Sequence, residues 1–241
     1  MLLKALFPLV GLVVGYHRLY PRIIDWFPGS KKPGLSDAQP AESGYRGQSS
    51  IMSVPFSGQS FWNGISFMVA SSLEEQIGPL LRQRGLRLAV AESCTGGLVG
   101  HRVTNVPGSS DYYLGSVTAY AYEAKRFLLQ VDSESLLTYG AVSREIALEM
   151  AVGVRRAFAG SEIPLDQVVG VSVTGIAGPG GGLPGKPVGL TWIALSVADG
   201  SWAWKFVWES DRVGNKLLSA GQALRLLHDY LTGNLPQEQQ P

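Results

Sequence analysis

The sequence predicts an α/β fold, a three-layer α/β/α sandwich built on a mixed, mostly parallel sheet. Helical and strand-like segments alternate over about residues 70–173, and a strand hairpin follows them. Alternation of this kind is typical of parallel strands joined by helices that cover both faces of a sheet. Residues 168–173 form an almost unbroken apolar run, as expected of a strand that is buried on both faces. The hairpin adds at least one antiparallel strand.

Bulk composition excludes several classes of protein. The chain has 241 residues, 45% of them hydrophobic, which is enough for one good-sized core followed by a polar tail at 233–241. Its net charge of +1 gives no reason to expect a nucleic-acid partner. The single cysteine, Cys94, cannot form an internal disulfide, which favours a cytoplasmic protein over a secreted one. The three histidines lie far apart in the chain, so no metal site is expected.

Residues 1–69 are predicted to be a disordered or non-native extension. Their apolar run at 5–14 is too short to span a bilayer, which takes about 20 residues, so membrane insertion is not expected. From Pro28 to about Gly64 the chain is rich in Gly, Ser, Pro and Gln without periodicity, a composition typical of disorder. Two interpretations of this leader stay open, a membrane-surface anchor and an in-frame extension upstream of a biological start at Met68.

The first regular segment is expected to be a helix. Ser71 and Glu74 have the spacing of a capping box, and apolar residues recur at helical intervals until Gly85 ends the pattern. A buried strand, LRLAVA at 86–91, then runs into the polar turn Glu-Ser-Cys and a helix that opens at Thr-Gly-Gly, residues 95–97. Hydroxyl groups and unpaired backbone N–H groups therefore gather where this strand ends, a common place for ligands in such sheets.

The middle of the chain continues the alternation. A strand is expected within 112–122 and a helix over 123–129, and a short segment then leads to Gly140. Ser143 is a suitable N-cap for the next helix, whose apolar stripe reaches Phe158. Because the turn after residue 91, the 120–125 segment and the loop after residue 173 all follow strands, they are expected to meet at one edge of the sheet.

The last elements are a hairpin and a helix. Strands over 188–197 and 202–208 flank Asp199-Gly200, a hairpin signal. Asp211 is expected to cap the final helix. Its predicted apolar stripe consists of Leu217, Leu218, Leu224, Leu227 and Leu231.

Ser93 has a structural and a chemical interpretation. As a helix cap it would contribute about 1 kcal/mol. As a nucleophile it needs a base, and none of the histidines is an obvious choice. Lys125 follows a strand and has aromatic neighbours that could remove it from water, which would lower its pKa from about 10.4 towards neutrality. The alternative for Lys125 is a surface lysine paired with a nearby glutamate.

Three neighbouring features carry similar alternatives. Cys94 is either a competing nucleophile or a small buried residue, and we favour the second. The N–H groups of Gly96 and Gly97 could form an oxyanion hole. The glycine-rich loop at 174–189 lacks the spacing of a Walker or dinucleotide motif, so it is either a surface loop or a lid and phosphate cradle.

Six motifs occur in an order that closely resembles the CinA C-terminal domain family. They are Ala91-Glu-Ser-Cys-Thr-Gly-Gly97, Val106-Pro-Gly-Ser-Ser110, Ala119-Tyr120 with Glu123-Ala-Lys125, Gly140-Ala-Val-Ser143, Val173-Thr-Gly-Ile-Ala-Gly-Pro-Gly-Gly181 and Lys186-Pro-Val-Gly189. The resemblance covers about residues 70–232. It implies an α/β/α amidohydrolase that converts nicotinamide mononucleotide to nicotinic acid mononucleotide and ammonia, without metal or organic cofactor, and that self-associates.

The resemblance also implies roles for individual residues. Ser93 would be the nucleophile, Lys125 its base and Tyr120 a hydroxyl that relays a proton. Backbone N–H groups at Thr95, Gly96 and Gly97 would stabilise the oxyanion. The substrate's ribose and phosphate would be held by a set drawn from the glycine-rich loop, Thr174, Gly175 and Arg212.

Two departures from the family pattern leave other functions open. Many relatives carry Asn where this chain has Tyr122, and longer members carry an N-terminal domain, associated with pyrophosphatase activity, for which residues 1–69 are too short and too polar. The chain could therefore be a catalytically silent nucleotide-binding module. It could also be a competence-linked interaction protein, although its near-neutral charge argues against direct contact with DNA.

Overall fold

The computed structural model describes residues 71–238, which form a five-stranded sheet between two layers of helices. The predictions of disorder, of an anchor and of a start at Met68 concern residues outside this range. The elements are α1 (Leu73–Gln83), β1 (Arg87–Glu92), α2 (Leu98–Thr104), β2 (Tyr113–Thr118), α3 (Tyr122–Leu129), α4 (Ser133–Tyr139), α5 (Arg144–Phe158), β3 (Val168–Gly175), β4 (Leu190–Val197), β5 (Gly200–Val207) and α6 (Arg212–Thr232). Within the described range, none of these helices has both the length and the apolar character needed to cross a membrane.

The strand order is β2-β1-β3-β4-β5. Strand β1 pairs in parallel with β2 on one side and with β3 on the other. Strand β4 pairs antiparallel with both β3 and β5. Four of the five strands therefore run in one direction, and the predicted mixed, mostly parallel sheet is confirmed.

Helices cover both faces of the sheet. One core cluster joins the buried sides of α1, α2 and α6 to one face of the strands, and a second joins α3, α4 and α5 to the other face. Strand β3 is buried along seven of its eight residues, as its apolar sequence predicts. The three-layer arrangement is confirmed.

The strand register brings the three predicted loops together. Glu92, the last residue of β1, is level with Thr118 at the end of β2 and with Val173 near the end of β3. The turn after β1, the segment after β2 and the loop after β3 therefore leave the sheet at one edge. Their predicted meeting at the carboxyl ends of the strands is confirmed.

Two local predictions differ from the structure. The capping box of α1 consists of Ser72 and Glu75, not Ser71 and Glu74: the hydroxyl accepts the Glu75 N–H, and the carboxylate accepts the Ser72 N–H. The segment before Gly140 contains helix α4, which is too short to show a clear apolar period. The predicted N-caps Ser143 and Asp211 are both confirmed.

The predicted leucine stripe of α6 is confirmed at Leu224, Leu227 and Leu231 but is wrong at its first two members. Leu217 and Leu218 are about half exposed, at 50% and 46%. The buried face of the helix combines leucines with the small residues Ser219, Ala220 and Ala223. Its members are Asn215, Ser219, Ala220, Ala223, Leu224, Leu226, Leu227 and Leu231. The prediction considered leucines alone and missed the alanines and the serine, whose small side chains allow the helix to lie close to the sheet.

Candidate active site

A cavity of ≈ 160 Å³ lies where the loops after β1, β2 and β3 meet. Its lining consists of Ser93, Cys94, Tyr120, Lys125, Ala141, Val142, Thr174, Gly175, Ala177 and Arg212. Six of the nine predicted site residues are in this set. The other three, Thr95, Gly96 and Gly97, lie in the same turn as Ser93 but do not line the cavity.

Ser93 and Lys125 are in direct contact in this cavity. Lys125 Nζ lies 3.0 Å from Ser93 Oγ, across 32 positions of sequence. Ser93 is the first residue after β1, and its own N–H donates to Val173 O at 2.9 Å, which ties it to β3. Lys125 sits in the first turns of α3, which begins after a short connection from β2. The prediction that these two side chains meet is confirmed.

Lys125 is a buried lysine, with only 1% of its surface exposed. Its Nζ also donates to the main-chain oxygens of Ala119 at 2.7 Å and Tyr120 at 3.3 Å. None of these three partners carries a charge. Burial therefore lowers the pKa of Lys125 from 10.5 to about 8, because the ammonium form loses its hydration. The alternative of a surface lysine paired with a glutamate is wrong.

Tyr120 lines the cavity, but its hydroxyl has a different partner from the predicted one. The side chain is 63% exposed, and Arg212 Nη2 donates to its Oη at 3.2 Å. Within residues 71–238 this hydroxyl has no hydrogen bond to Ser93 or Lys125. The predicted relay through Tyr120 Oη is therefore not seen, and what Tyr120 contributes to the lysine is its main-chain oxygen.

The turn after Ser93 is held by a residue that the sequence analysis gave no role. Glu92 is fully buried, and its carboxylate accepts the N–H groups of Gly97, Val99 and Gly100 at 2.9, 3.1 and 2.9 Å. The N-cap of α2 is Gly97, which has no capping side chain, so Ser93 does not cap this helix. The role of Glu92 could have been predicted, because Gly97 is not a Ser, Thr, Asp or Asn cap and an acidic residue shortly before the helix can accept its first N–H groups instead.

The predicted oxyanion role of Gly96 and Gly97 is corrected by their hydrogen bonds. The N–H of Gly96 donates to Ser93 O at 3.2 Å, and that of Gly97 donates to the Glu92 carboxylate. Among the described residues, the N–H groups of Cys94 and Thr95 donate to no oxygen atom, and both interact with the Cys94 thiol. They are the two N–H groups between Ser93 and Gly97 that no main-chain or carboxylate oxygen accepts.

Cys94 is unsuited to be the nucleophile. Its side chain is buried, and burial raises the pKa of the thiol to about 12. A thiol with that pKa supplies almost no thiolate near neutrality. The interpretation of Cys94 as a small buried residue is confirmed.

The far wall of the cavity comes from β3 and the glycine-rich loop. Thr174 Oγ1 donates to Ala141 O at 2.7 Å, which fixes the loop before α5 against β3. At Gly175 an added Cβ would lie 2.7 Å from Leu190 O and 3.1 Å from Cys94 Sγ, so only glycine fits there. Arg212 Nη1 donates to Gly178 O at 2.6 Å, so the start of the loop is anchored to α6.

A second cavity of ≈ 450 Å³ adjoins the first. The two share Ala177 and Arg212, and the second is otherwise lined by Pro179, Val188, Ser210, Asp211 and Val213. The guanidinium of Arg212 therefore stands between a small polar compartment with the Ser93–Lys125 pair and a larger one at the start of α6. Across residues 71–238, no group of three or more His, Cys, Asp or Glu side chains is placed to hold a metal ion.

The site can be compared with known sequences. A model of the CinA C-terminal domain family matches residues 70–231. A CinA-like protein of Salinibacter ruber is 50% identical over 153 residues, which are 64% of this chain and 35% of the relative. A CinA-like protein of Acaryochloris marina is 50% identical over 135 residues, which are 56% of this chain and 30% of the relative. The chain thus spans little more than a third of the curated relatives' length.

Two solved structures have a similar fold. A CinA superfamily protein from Klebsiella pneumoniae aligns with a TM-score of 0.61 at 28% identity, over 67% of this chain and 96% of that one. The competence/damage inducible protein CihA from Agrobacterium tumefaciens aligns with a TM-score of 0.59 at 35% identity, over the same 67% and 96%. Almost the whole of each solved chain is therefore matched by about two thirds of this chain.

Proposed function

The chain belongs to the CinA C-terminal domain family, and we propose that it is an amidohydrolase that converts nicotinamide mononucleotide to nicotinic acid mononucleotide and ammonia. One observation carries the proposal: a buried lysine with a pKa of about 8 lies 3.0 Å from a serine hydroxyl at the edge of the sheet. A serine becomes a useful nucleophile when a neighbouring base can take its proton. This pair has the parts needed for a serine–lysine mechanism.

The three partners of Lys125 Nζ suit a base. A neutral amine has two N–H groups and one lone pair. With both N–H groups donated to Ala119 O and Tyr120 O, the lone pair is left to accept the Ser93 hydroxyl. The protonated amine can keep all three contacts by donating to each partner. The site therefore accommodates both protonation states without moving the side chain.

In the proposed reaction, Ser93 Oγ attacks the carboxamide carbon while its proton passes to Lys125 Nζ. The N–H groups of Cys94 and Thr95 are the candidates to stabilise the oxyanion, a contribution that typically amounts to about 3 kcal/mol per donor. Collapse of the intermediate breaks the C–N bond, and Lys125 returns the proton to the departing ammonia. Water then hydrolyses the acyl-serine, which yields the carboxylic acid and restores Ser93.

The two cavities support a nucleotide-sized substrate. The compartment with Ser93 has a volume of ≈ 160 Å³, below the roughly 300–1,000 Å³ of sites that enclose a whole ligand. It suits the pyridine carboxamide alone. Ribose and phosphate would then extend past Arg212, whose guanidinium is the cation in the lining of both cavities.

The direct test is ammonia release from nicotinamide mononucleotide by the full chain. We expect turnover by the wild type and a loss of at least about 10³-fold in Ser93→Ala and Lys125→Met, because each removes one half of the pair. Ser133→Ala and Lys205→Met, which change exposed residues of the same types, should retain wild-type rates. Full turnover by Ser93→Ala would exclude the mechanism.

The silent nucleotide-binding module remains the second candidate. Tyr122 favours it, because this aromatic side chain lies against the cavity wall: the Ala141 N–H approaches Tyr122 Oη at 3.5 Å. Saturable binding of the nucleotide by wild-type protein without ammonia release would select this candidate. Replacement of Tyr122 by Asn should then restore turnover.

A further inference from the structure

Glu92 lies directly beside the reactive pair without lining the cavity. It is the residue before Ser93, it has no measurable exposure, and its carboxylate makes three hydrogen bonds to the start of α2. The proposed mechanism assigns it no proton transfer and no contact with substrate. A buried carboxylate at this position is costly unless it is fully hydrogen-bonded, as it is here.

The carboxylate closes the turn that carries the nucleophile. The Glu92 backbone ends β1, and its side chain binds N–H groups five to eight residues later. Residues 93–97 are thus enclosed between the main chain and the side chain of one residue. Because Gly97 offers no capping group, nothing else in the described range accepts these three N–H groups.

The Glu92 main chain also reaches the lysine. Its carbonyl accepts the Ala119 N–H at 2.8 Å, and the carbonyl of Ala119 accepts Lys125 Nζ at 2.7 Å. One residue therefore connects to both halves of the pair, to Ser93 through the closed turn and to Lys125 through the Ala119 peptide. A displacement of this turn changes the Ser93–Lys125 distance directly.

The start of α2 is tightly packed around the Glu92 carboxylate. At Gly100 an added Cβ would lie 2.4 Å from Tyr113 Oη, 3.0 Å from Ser116 Oγ and 3.5 Å from Glu92 Oε1. The start of α2 is thus pressed against Glu92 and β2. This close packing leaves the turn little freedom as long as the carboxylate is present.

We propose that Glu92 is a positioning residue, whose carboxylate holds the Ser93–Gly97 turn so that Ser93 Oγ stays within hydrogen-bonding distance of Lys125 Nζ. The inference rests on the proposed function in taking Ser93 as the nucleophile. Glutamine at this position keeps the shape but offers one acceptor oxygen instead of two, and it turns an NH₂ donor towards N–H donors. Misplacement of a reacting group by about 1 Å can cost about 10²-fold in rate.

The test measures Ser93 reactivity without reference to the natural substrate. The probe is a fluorophosphonate: Ser93 Oγ bonds to phosphorus, fluoride leaves, and the serine proton passes to Lys125. Labelling of the full chain is followed by intact mass, well below the unfolding temperature of each variant. We expect Glu92→Gln to label about 10- to 100-fold more slowly than wild type, and Glu92→Asp to lie between them.

A second readout separates positioning from a merely structural role. The pH midpoint of labelling should stay at the wild-type value in Glu92→Gln, because burial and not Glu92 sets the lysine pKa. With nicotinamide mononucleotide, kcat should fall while KM stays within about threefold. Asp132→Asn removes another carboxylate that caps a helix, at α4 and away from the cavity, and should label at the wild-type rate.

The outcomes distinguish this inference from the proposed function. Folded Glu92→Gln labelling at the wild-type rate overturns the positioning role; should that variant not fold, Glu92→Asp labelling at the wild-type rate overturns it equally. Wild type that labels at Ser93 but releases no ammonia removes the proposed substrate and leaves the role of Glu92 intact. Wild type that does not label at Ser93 overturns both.

Discussion

At the scale of single residues, chemistry here is decided by which side chains lose contact with water. Ser93, Cys94 and Lys125 are all buried around one small cavity, yet burial has opposite consequences for them. It raises the pKa of the thiol to about 12 and lowers that of the amine to about 8. Desolvation always favours the neutral form, which is the protonated thiol for the cysteine and the free amine for the lysine, and the proposed mechanism requires that free amine.

A cysteine variant tests this assignment. Cys94→Ala should retain turnover within about threefold, because the thiol is protonated and Ser93 keeps its contact with Lys125. The lost sulfur would cost about 1 kcal/mol of stability. Steady-state ammonia release and thermal unfolding measure the two effects. A loss of activity as large as that of Ser93→Ala would identify Cys94 as the nucleophile instead.

Much of the residue-scale site could be read from the sequence, and the rest has identifiable causes. Ser93 and Lys125 each follow a strand, and parallel strands bring such positions together. The hydroxyl of Tyr120 could not be placed, since that depends on how α6 presents Arg212, 92 positions away. The contacts of Lys125 with the carbonyls of Ala119 and Tyr120 could not be predicted either, because every residue has a main-chain carbonyl whatever its side chain. Two of the three hydrogen-bond partners of Lys125 Nζ are therefore main-chain oxygens, which sequence patterns do not show.

At the scale of elements, the position of Lys125 depends on how α3 packs against α5. An added Cβ at Gly153, in α5, would lie 2.0 Å from Leu129 O at the end of α3. Only a glycine at position 153 allows α5 to lie this close to the main chain of Leu129. The packing of the helix that carries Lys125 thus depends on a residue that does not line the cavity.

Gly153→Ala should therefore affect both stability and activity. We expect a loss of about 1–3 kcal/mol in the free energy of unfolding, as is typical of overpacking, and a lower kcat because α3 must shift. Gly160→Ala is the matched control, since an added Cβ there meets nothing within 4 Å and the residue lies two positions past the end of α5. Denaturant titration of both variants measures the free energy of unfolding, and ammonia release measures kcat. Equal stabilities for the two variants would contradict the packing argument.

Elements were predicted well where one signal dominated. The N-caps Ser143 and Asp211 and the apolar run of β3 were read correctly because each is a local property. The burial of α6 was predicted correctly at Leu224, Leu227 and Leu231 but not at Leu217 and Leu218, because small residues make up part of its contact face. Helix α4 is seven residues long, too short for a periodic pattern, and was overlooked. Tertiary packing overrides propensity in such cases.

At the scale of the whole molecule, one buried cation ties the sheet to α5. Arg155 donates to Val168 O at 2.7 Å, Leu165 O at 2.9 Å, Ser196 Oγ at 3.1 Å and Val197 O at 2.7 Å. These partners belong to β3, to β4 and to the turn before β3. The guanidinium thus links α5 to β3 and β4 at the end of the sheet opposite the cavity.

Arg155→Met should destabilise the whole domain by at least about 3 kcal/mol. The change removes four hydrogen bonds, among them those to the main-chain oxygens of the buried residues Val168 and Val197, and a buried acceptor that loses its donor costs about 1–3 kcal/mol. Arg156→Met, at the exposed neighbouring position, should change the free energy of unfolding by less than about 0.5 kcal/mol. Both are measured by urea titration at neutral pH. If Arg155→Met is as stable as Arg156→Met, the hydrogen bonds of Arg155 do not stabilise the domain.

The fold as a whole was predictable because alternation of elements, strand burial and the hairpin all pointed to the same class. The proposed function rests on a smaller set of observations, namely a cavity, a serine and a lysine that has lost its hydration. All of them lie within the region that the family model matches.

The pH dependence of Ser93 reactivity tests the central claim most directly. Labelling of wild type by a fluorophosphonate should rise from pH 6 and level off above a midpoint near 8, as Lys125 loses its proton with a pKa of about 8. Below that midpoint the amine is charged and cannot accept the serine proton. Lys125→Met should label slowly at every pH. A wild-type rate that is flat from pH 6 to 10, or a midpoint near the ordinary lysine value of about 10.4, would contradict the account.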